Sequence, residues 1–514
     1  MAILNFLKKP MNLLTFAAVM SVVNLVLYNI PFFTFVWQSS QSELPGKLLL
    51  TVCFVLVMIV ANFMACYLVM FLMRYVGRVL IALCHLLSAT CVFFIYKYNN
   101  FMDETMIGNV FNTRYSEASG FMTWQLALFI VVFGVIPAVY VLTQKVNYGS
   151  WKRFGASVGS SILIVAILIV VNANQVLWIG KYDTELGGRL MPWSYIVNTV
   201  RFYNANHQKQ KEEIKLPDAT IADQEKTAVV LVIGESARKA NFSLYGYGRN
   251  TNPKLSQQEG LLVYPAVSGD TYTTAGTKCI LEYKATGDLY EILPNYLNRA
   301  GVDVSWRTSN WGEPPVHISE YLTEDSLVAR YPGVNRKYDE ILFTGLRQRI
   351  ESSGKNKVLI VLHTSTNHGP CYSSKYPKEF EVFKPVCVNV ENAKDSIPEL
   401  VNAYDNSVLY VDHLLNGLID TLRTVQGWNC AMLFVSDHGE SLGENDLFMH
   451  GVPMKIAPAV QYEIPFLVWT TPGFRTPKKI NQTIDQHYVF HTVLNLLSVQ
   501  SPVYDAEHDL FQKP

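Results

Sequence analysis

Several short stretches of this 514-residue chain set acids, histidines and hydroxyls just behind apolar runs. The run Thr227-Ala-Val-Val-Leu-Val-Ile233 leads into Gly234-Glu235-Ser236. Lys357-Val-Leu-Ile-Val-Leu362 leads into His363 and then Asn367-His368-Gly369-Pro370. Ala431-Met-Leu-Phe-Val435 leads into Ser436-Asp437-His438-Gly439-Glu440-Ser441, with His450-Gly451 beyond. One Glu, one Asp and several His arriving together form the donor set that Zn²⁺ takes, with a position left for a reacting group. Singly, each has a plainer reading: an Asp-His pair often closes a turn, and a lone Glu often caps a helix. Their joint arrival is the argument for a metal. A hydroxyl source lies between the first two runs, in Gly269-Asp-Thr-Tyr-Thr-Thr-Ala-Gly-Thr-Lys-Cys279. A threonine at a helix start is ordinarily a cap. A threonine beside Zn²⁺ becomes a nucleophile near neutral pH. Spacing does not choose among Thr271, Thr273, Thr274 and Thr277.

The elements that must hold these residues are legible in the runs themselves. Uninterrupted apolar stretches of five to eight residues, among them Ile464-Pro-Phe-Leu-Val-Trp469, read as strands covered on both faces. Helix-like periodicity over 395–424 and 487–498 supplies the covering layer. The expected class is α/β with a mostly parallel sheet, whose ligands gather at the carboxyl ends of the strands.

Residues 227–514 carry this pattern; the chain before 175 is of another kind. Five apolar segments, at about 11–36, 47–72, 79–97, 121–143 and 155–175, are each long enough to cross a hydrocarbon core of roughly 30 Å. Lys8, Lys9, Arg74, Arg78, Lys145, Lys152 and Arg153 fall on one side of them. The opposite loops hold the mixed set Glu43, Lys47, Lys97, Asp103, Glu104, Arg114 and Glu117. The basic side is expected in the cytoplasm, which puts everything after residue 175 outside, in the periplasm of a Gram-negative cell. Residues 176–226 read as an amphipathic connector: Trp178, Trp193, Tyr195 and Phe202 lie among basic residues, and a polar stretch follows.

Charge narrows the partners. Lys+Arg and Asp+Glu are both 42, a balance that argues against nucleic acid as the partner. Half the residues are hydrophobic, concentrated in the first third. Eight cysteines match no CxxC pattern, and the four in the soluble part permit three pairings.

Ile233-Gly-Glu-Ser-Ala-Arg238, Tyr245-Gly-Tyr-Gly-Arg249 with Thr251-Asn-Pro253, Asn367-His-Gly-Pro370, Asn402-Ala-Tyr-Asp-Asn406 and Ser436-Asp-His-Gly-Glu-Ser-Leu-Gly-Glu-Asn445 with His450-Gly451 together resemble the lipid A phosphoethanolamine transferases, the group that includes the mobile colistin-resistance enzymes. The resemblance implies a five-helix transmembrane domain and an α/β alkaline-phosphatase/sulfatase-like periplasmic domain. It implies zinc ligands at Glu235, Asp437 and His438, with Thr273 as both ligand and nucleophile. His368 and His450 match the pair that serves the phosphoryl group or a second zinc; His363 and Glu440 match further pocket positions. Asn109, Thr113 and Glu117 match residues that hold the lipid headgroup. The implied donor is phosphatidylethanolamine and the implied acceptor lipid A or a related envelope molecule, in a monomeric inner-membrane enzyme tied to polymyxin resistance. Where the family has Ser-Cys-Gly-Thr-Ser-Thr-Ala, this chain has Ser268-Gly-Asp-Thr-Tyr-Thr-Thr274, so the usual partner of Cys279 is missing. Two rival readings remain: a phosphoglycerol transferase of the lipoteichoic-acid-synthase type, and a degenerate, non-enzymatic envelope protein.

Overall fold

A computed structural model describes residues 10–40, 44–112, 118–171, 179, 182–209, 213–369, 371–387 and 396–512. The chain divides into two compact units, Met1–Phe111 with Phe121–Asn204, and Asn112–Gly120 with Ala205–Pro514.

The first unit is helical. Helices α1 (Leu13–Tyr28) and α2 (Ile30–Ser39) meet at a 61° bend. Two features make the bend at Asn29. Pro31 can only begin a helix, not continue one. The buried Asn29 amide is also satisfied outside its own helix, donating to Met191 O at 3.1 Å and accepting from Met191 N at 3.0 Å. The next helix, α3, covers Leu44–Tyr98, 55 residues, or about 80 Å at 1.5 Å per residue. That is more than two crossings of a ~30 Å core. It is broken at Arg74, whose φ of 41° and ψ of −101° are not helical, in the gap between the second and third expected segments. After α4 (Glu104–Asn112) come α5 (Trp124–Thr143), which contains a π turn at Val131–Val135, and α6 (Trp151–Val171). These cover the fourth expected segment from Trp124 on and the fifth as far as Val171. Ile162, Leu163, Ile167 and Val170 of α6 are exposed, the arrangement expected where lipid is the solvent. Lys8, Lys9, Glu43, Arg114 and Trp178 lie outside the described residues.

The first part of the connector packs within this helical unit. Helix α7 (Trp193–Lys209) places Tyr195 among buried residues, and the Trp193 indole donates to Asn62 Oδ1 at 2.9 Å. Asn198 Nδ2 donates to Met102 O at 2.7 Å.

The second unit is built on an eight-stranded sheet. Its strands are β1 (Thr227–Gly234), β2 (Leu262–Val267), β3 (Asp303–Thr308), β4 (Glu320–Thr323), β5 (Lys357–His363), β6 (Asn429–Ser436), β7 (Glu463–Thr470) and β8 (Ile484–Asp485). They lie in the order β8-β2-β7-β6-β1-β5-β3-β4. β1 runs parallel to both β5 and β6, and β3 parallel to both β4 and β5. The sheet is mostly parallel, as expected; the exception is β7, antiparallel to β6 and β2. The site therefore rests on the parallel trio. Every residue of β1 and β5 is buried, as double-sided cover requires. The cover includes α8 (Thr273–Leu281), α9 (Ile397–Arg423) and α10 (Tyr488–Leu496). The α/β class and the helices expected over 395–424 and 487–498 are thus present.

Trp306 of β3 is fully buried, stacked on Tyr321 (ring centroids 6.4 Å) and edge-on to His363 (5.8 Å). Removing that indole leaves a cavity behind the end of β5. Trp306→Ala is expected to cost about 3–5 kcal/mol, read as a lowered thermal midpoint of the detergent-solubilised protein with the helical unit as internal reference.

Candidate metal and phosphoryl site

Register brings the acids together. Gly234 pairs with Ser436 across β1 and β6, so Glu235 and Asp437 leave the sheet side by side. The Ser236 backbone, at φ 51°, turns sharply there. Asp437 Oδ1 accepts from Ser236 N (3.0 Å) and His438 N (2.7 Å), which fixes the carboxylate between the two strand ends. Its Oδ2 is buried and has no hydrogen-bond donor. His438 is oriented by its own backbone: Nδ1 lies 2.8 Å from Gly439 O and donates to it, leaving Nε2 as the lone-pair nitrogen. That Nε2 faces Glu235 Oε1 at 3.4 Å, Asp437 Oδ2 at 3.5 Å and Thr273 Oγ1 at 3.3 Å. Thr273 Oγ1 also lies 3.4 Å from Glu235 Oε2. All four side chains are buried.

This arrangement is unfavourable for a site holding no cation. Burial, with Glu235 alongside, drives the Asp437 carboxyl well above its usual range. Burial and the neighbouring His450 push the His438 imidazole down to about 4. Two carboxylates and a neutral nitrogen turning lone pairs on one point, with Asp437 Oδ2 orphaned, is the donor set of a divalent cation. The residues fit zinc.

Thr273 opens α8, and the first-turn N–H groups of that helix are among those with no partner inside it. The helix sits directly on Asp437: a Cβ added at Gly276 would lie 2.1 Å from the Asp437 carbonyl oxygen. Glycine is required for that approach.

Beside these four is a second group. His450 Nδ1 lies 3.4 Å from Glu440 Oε1 and 3.5 Å from Ser236 Oγ. The His450 ring centre is 4.3 Å from that of His438 and 5.4 Å from that of His368. The His368 Nδ1–H donates to Gly369 O at 2.6 Å, again leaving Nε2 as acceptor. Burial raises the Glu440 carboxyl to about 8, against the pull of His438 and His368. The expected residues Glu235, Thr273, Asp437, His438, His368, His450 and Glu440 thus form one cluster. His363 stands apart, edge-on to Trp306 with Nδ1 3.4 Å from Glu313 Oε2. Asn109 lies on α4 of the helical unit, half-buried; Thr113 and Glu117 lie outside the described residues.

Three contributors had no reading from sequence. Asn310 Nδ2 donates to Glu235 Oε2 at 2.6 Å and to Thr364 O at 2.8 Å. The Ser236 hydroxyl donates to Glu235 Oε1 at 2.7 Å. Gln486 Nε2 donates to Ser436 O and Asp437 O, each at 2.8 Å. The usable signal was position: Asn310 follows β3 as Glu235 follows β1.

The second unit is thus an alkaline-phosphatase/sulfatase-like domain, and it is carried on a transmembrane region. A family model described as Sulfatase matches residues 227–499, and one described as Phosphoethanolamine transferase EptA/EptB matches 60–207. The phosphoethanolamine transferase EptA of Helicobacter pylori is 36% identical over 528 aligned positions, covering 99% of this chain and 98% of that protein. The phosphatidylethanolamine transferase Mcr-1 of Escherichia coli is 29% identical, covering 83% of this chain and 84% of its own. Among solved structures, the integral membrane lipooligosaccharide phosphoethanolamine transferase A of Neisseria meningitidis superposes with a TM-score of 0.89 at 25% identity, over 99% of this chain and all of that one. The chain belongs to the EptA-type phosphoethanolamine transferases and is a transferase enzyme.

Because α8 rests on the Asp437 backbone, Gly276→Ala must lift the helix and move Thr273. A displacement near 1 Å costs about 10²-fold in rate, so transfer is expected to fall by that order while circular dichroism stays native.

Proposed function

We propose that this enzyme transfers phosphoethanolamine from phosphatidylethanolamine to lipid A or another envelope acceptor by way of Thr273. The observation that carries the reading is the Thr273 hydroxyl, buried at a helix start 3.3 Å from His438 Nε2 and 3.4 Å from Glu235 Oε2, the oxygen that takes its proton. Glu235, Asp437, His438 and Thr273 would hold Zn²⁺, which supplies charge neutralisation and a lowered hydroxyl pKa.

Thr273 Oγ1 attacks the phosphorus, the Oγ–P bond forms and the P–O bond to diacylglycerol breaks. The departing alkoxide takes a proton from the histidine pair, and His450, held against Glu440, is the better placed donor. Phosphoethanolamine then rests on Thr273 until an acceptor oxygen attacks the same phosphorus and frees the threonine. His368, with Nε2 left as an acceptor, would bind the non-bridging oxygens when protonated, or a second cation when not. Glu440 positions the histidines, and Asn310 holds Glu235 against rotation. By resemblance, Asn109, Thr113 and Glu117 are assigned to the lipid headgroup and His363 to the pocket wall.

Residues 1–175 serve as the anchor, 176–226 as the connector and 227–514 as the catalytic domain. The Arg74, Arg78, Lys145, Lys152 and Arg153 flanks favour a cytoplasmic N-terminus in the inner membrane and a periplasmic catalytic domain. Adding an amine to lipid A lowers its negative charge and weakens attraction for cationic peptides such as polymyxins.

Mass spectrometry of lipid A from cells expressing the wild-type chain is expected to show added phosphoethanolamine, and Thr273→Ala none. Unchanged lipid A with the wild-type protein removes lipid A as acceptor; transfer surviving Thr273→Ala removes the nucleophile. Dialysis against a chelator is expected to abolish donor cleavage and Zn²⁺ to restore it; activity indifferent to chelation removes the metal. Peptide mass spectrometry after incubation with donor alone is expected to find phosphoethanolamine on Thr273.

A further inference from the structure

A second set of metal-binding side chains lies in the same domain, at the far end of α8 from Thr273. Cys279 and Glu282 are three residues apart, one at the last turn of α8 and the other just beyond it. His487 immediately precedes α10. The ligand atoms of all three lie within 4.8 Å of one another. His487 Nε2 is 3.5 Å from Glu282 Oε1. Tetrahedral bonds of about 2.1 Å place two ligand atoms about 3.4 Å apart, so this pair already has the spacing of neighbours around one ion.

Against burial, Asp485 and Glu282 hold the His487 imidazole up at about 9, and burial pushes the Cys279 thiol up to about 12, so an ion there would displace a proton from each. The Asp485 carboxylate lies 3.3 Å from His487 Nδ1 and also accepts from His487 N at 2.9 Å. A carboxylate behind a histidine fixes the ring and strengthens its other nitrogen as a donor to metal. That other nitrogen, Nε2, is buried, makes no hydrogen bond and points at Glu282. Glu282 is 3% exposed; Lys278 Nζ occupies its Oε2 side at 3.1 Å, which leaves Oε1 toward the histidine. Cys279 is a thiol, partly buried. Its sulfur lies against Gly269, where an added Cβ would come within 2.4 Å of it. A cavity of about 300 Å³, lined by Lys284 as well as Asp485, His487, His491, Asp505 and His508, opens beside His487.

We infer that Cys279, Glu282 and His487 form a second zinc site, with one sulfur, one oxygen and one nitrogen ligand and a fourth position for water. Its ligands are separate from Glu235, Asp437, His438 and Thr273, and the inference does not rest on the transfer chemistry. An ion there would tie the C-terminal end of the nucleophile helix to the segment before α10, whose Gln486 holds the Asp437 carbonyl.

Cobalt distinguishes the two sites, because the catalytic set contains no sulfur. The full-length protein in detergent, stripped with a chelator and loaded with Co²⁺, is expected to show a sulfur-to-cobalt charge-transfer band in the near ultraviolet. Asp437→Asn should keep that band; Cys279→Ser and His487→Gln should lose it. On the wild-type protein alone, Zn²⁺ should slow iodoacetamide alkylation of Cys279 by at least about tenfold, with the rate recovered on adding EDTA, as read by peptide mass spectrometry. The absence of a sulfur band, a band that survives Cys279→Ser, or alkylation indifferent to Zn²⁺ would overturn the site. Those results would leave an ion pair between His487 and Glu282 only.

Discussion

Everything in the catalytic domain answers to one electrostatic demand: two carboxylates and an imidazole lone pair must face each other in a dry place. Water would relieve the repulsion, so the strands that deliver Glu235 and Asp437 have to be central, covered and in fixed register. The parallel pairing of β1 with β6 does this, and neither side chain can retreat. Asp437 is clamped by two backbone N–H groups and Glu235 by Asn310 and Ser236. The cost of assembling such a group falls on folding, and binding a divalent cation would offset it. The Thr273 hydroxyl stands at the edge of the same group, 3.3 Å from His438 Nε2 and 3.4 Å from Glu235 Oε2.

The strands of the parallel trio were legible because burial on both faces leaves an uninterrupted apolar run, and the polar residues behind each run marked the working edge. β7 has an equally clear run, but Ile464–Trp469 reads the same in either direction, so its antiparallel course had no trace in the chain. β3 was hidden for a different reason. Ser305 and Arg307 sit at buried positions, with the Arg307 guanidinium donating to the Leu342 and Thr344 carbonyls, so the apolar pattern is interrupted. Asn310, just beyond it, was therefore missed. Among the threonines, spacing left four open and the family motif pointed to Thr273; the structure adds its place at a helix start and its distances to Glu235 and His438. Composition cannot express either.

In the helical unit the apolar lengths were plain and the breaks were not. A single proline and a buried asparagine bend the first span at Asn29, and an arginine in a non-helical conformation divides the longest helix. Polar residues inside the apolar segments carry much of the shape: Asn24, Asn29, Asn62 and Trp193 join through hydrogen bonds that tie helices to the start of the connector. Such bonds specify arrangement where apolar contact alone would not distinguish protein from lipid.

The exposed flank of α6 has a consequence of its own. Apart from Trp151 and Phe154, which pack on Phe71 and Tyr67, little of that helix is covered by the described residues, so a change in hydrocarbon thickness meets little resistance to tilting there. A thinner or thicker bilayer acts on α6 before it acts on the better-packed α1 and α3. Lipid composition is thereby a variable of the fold itself.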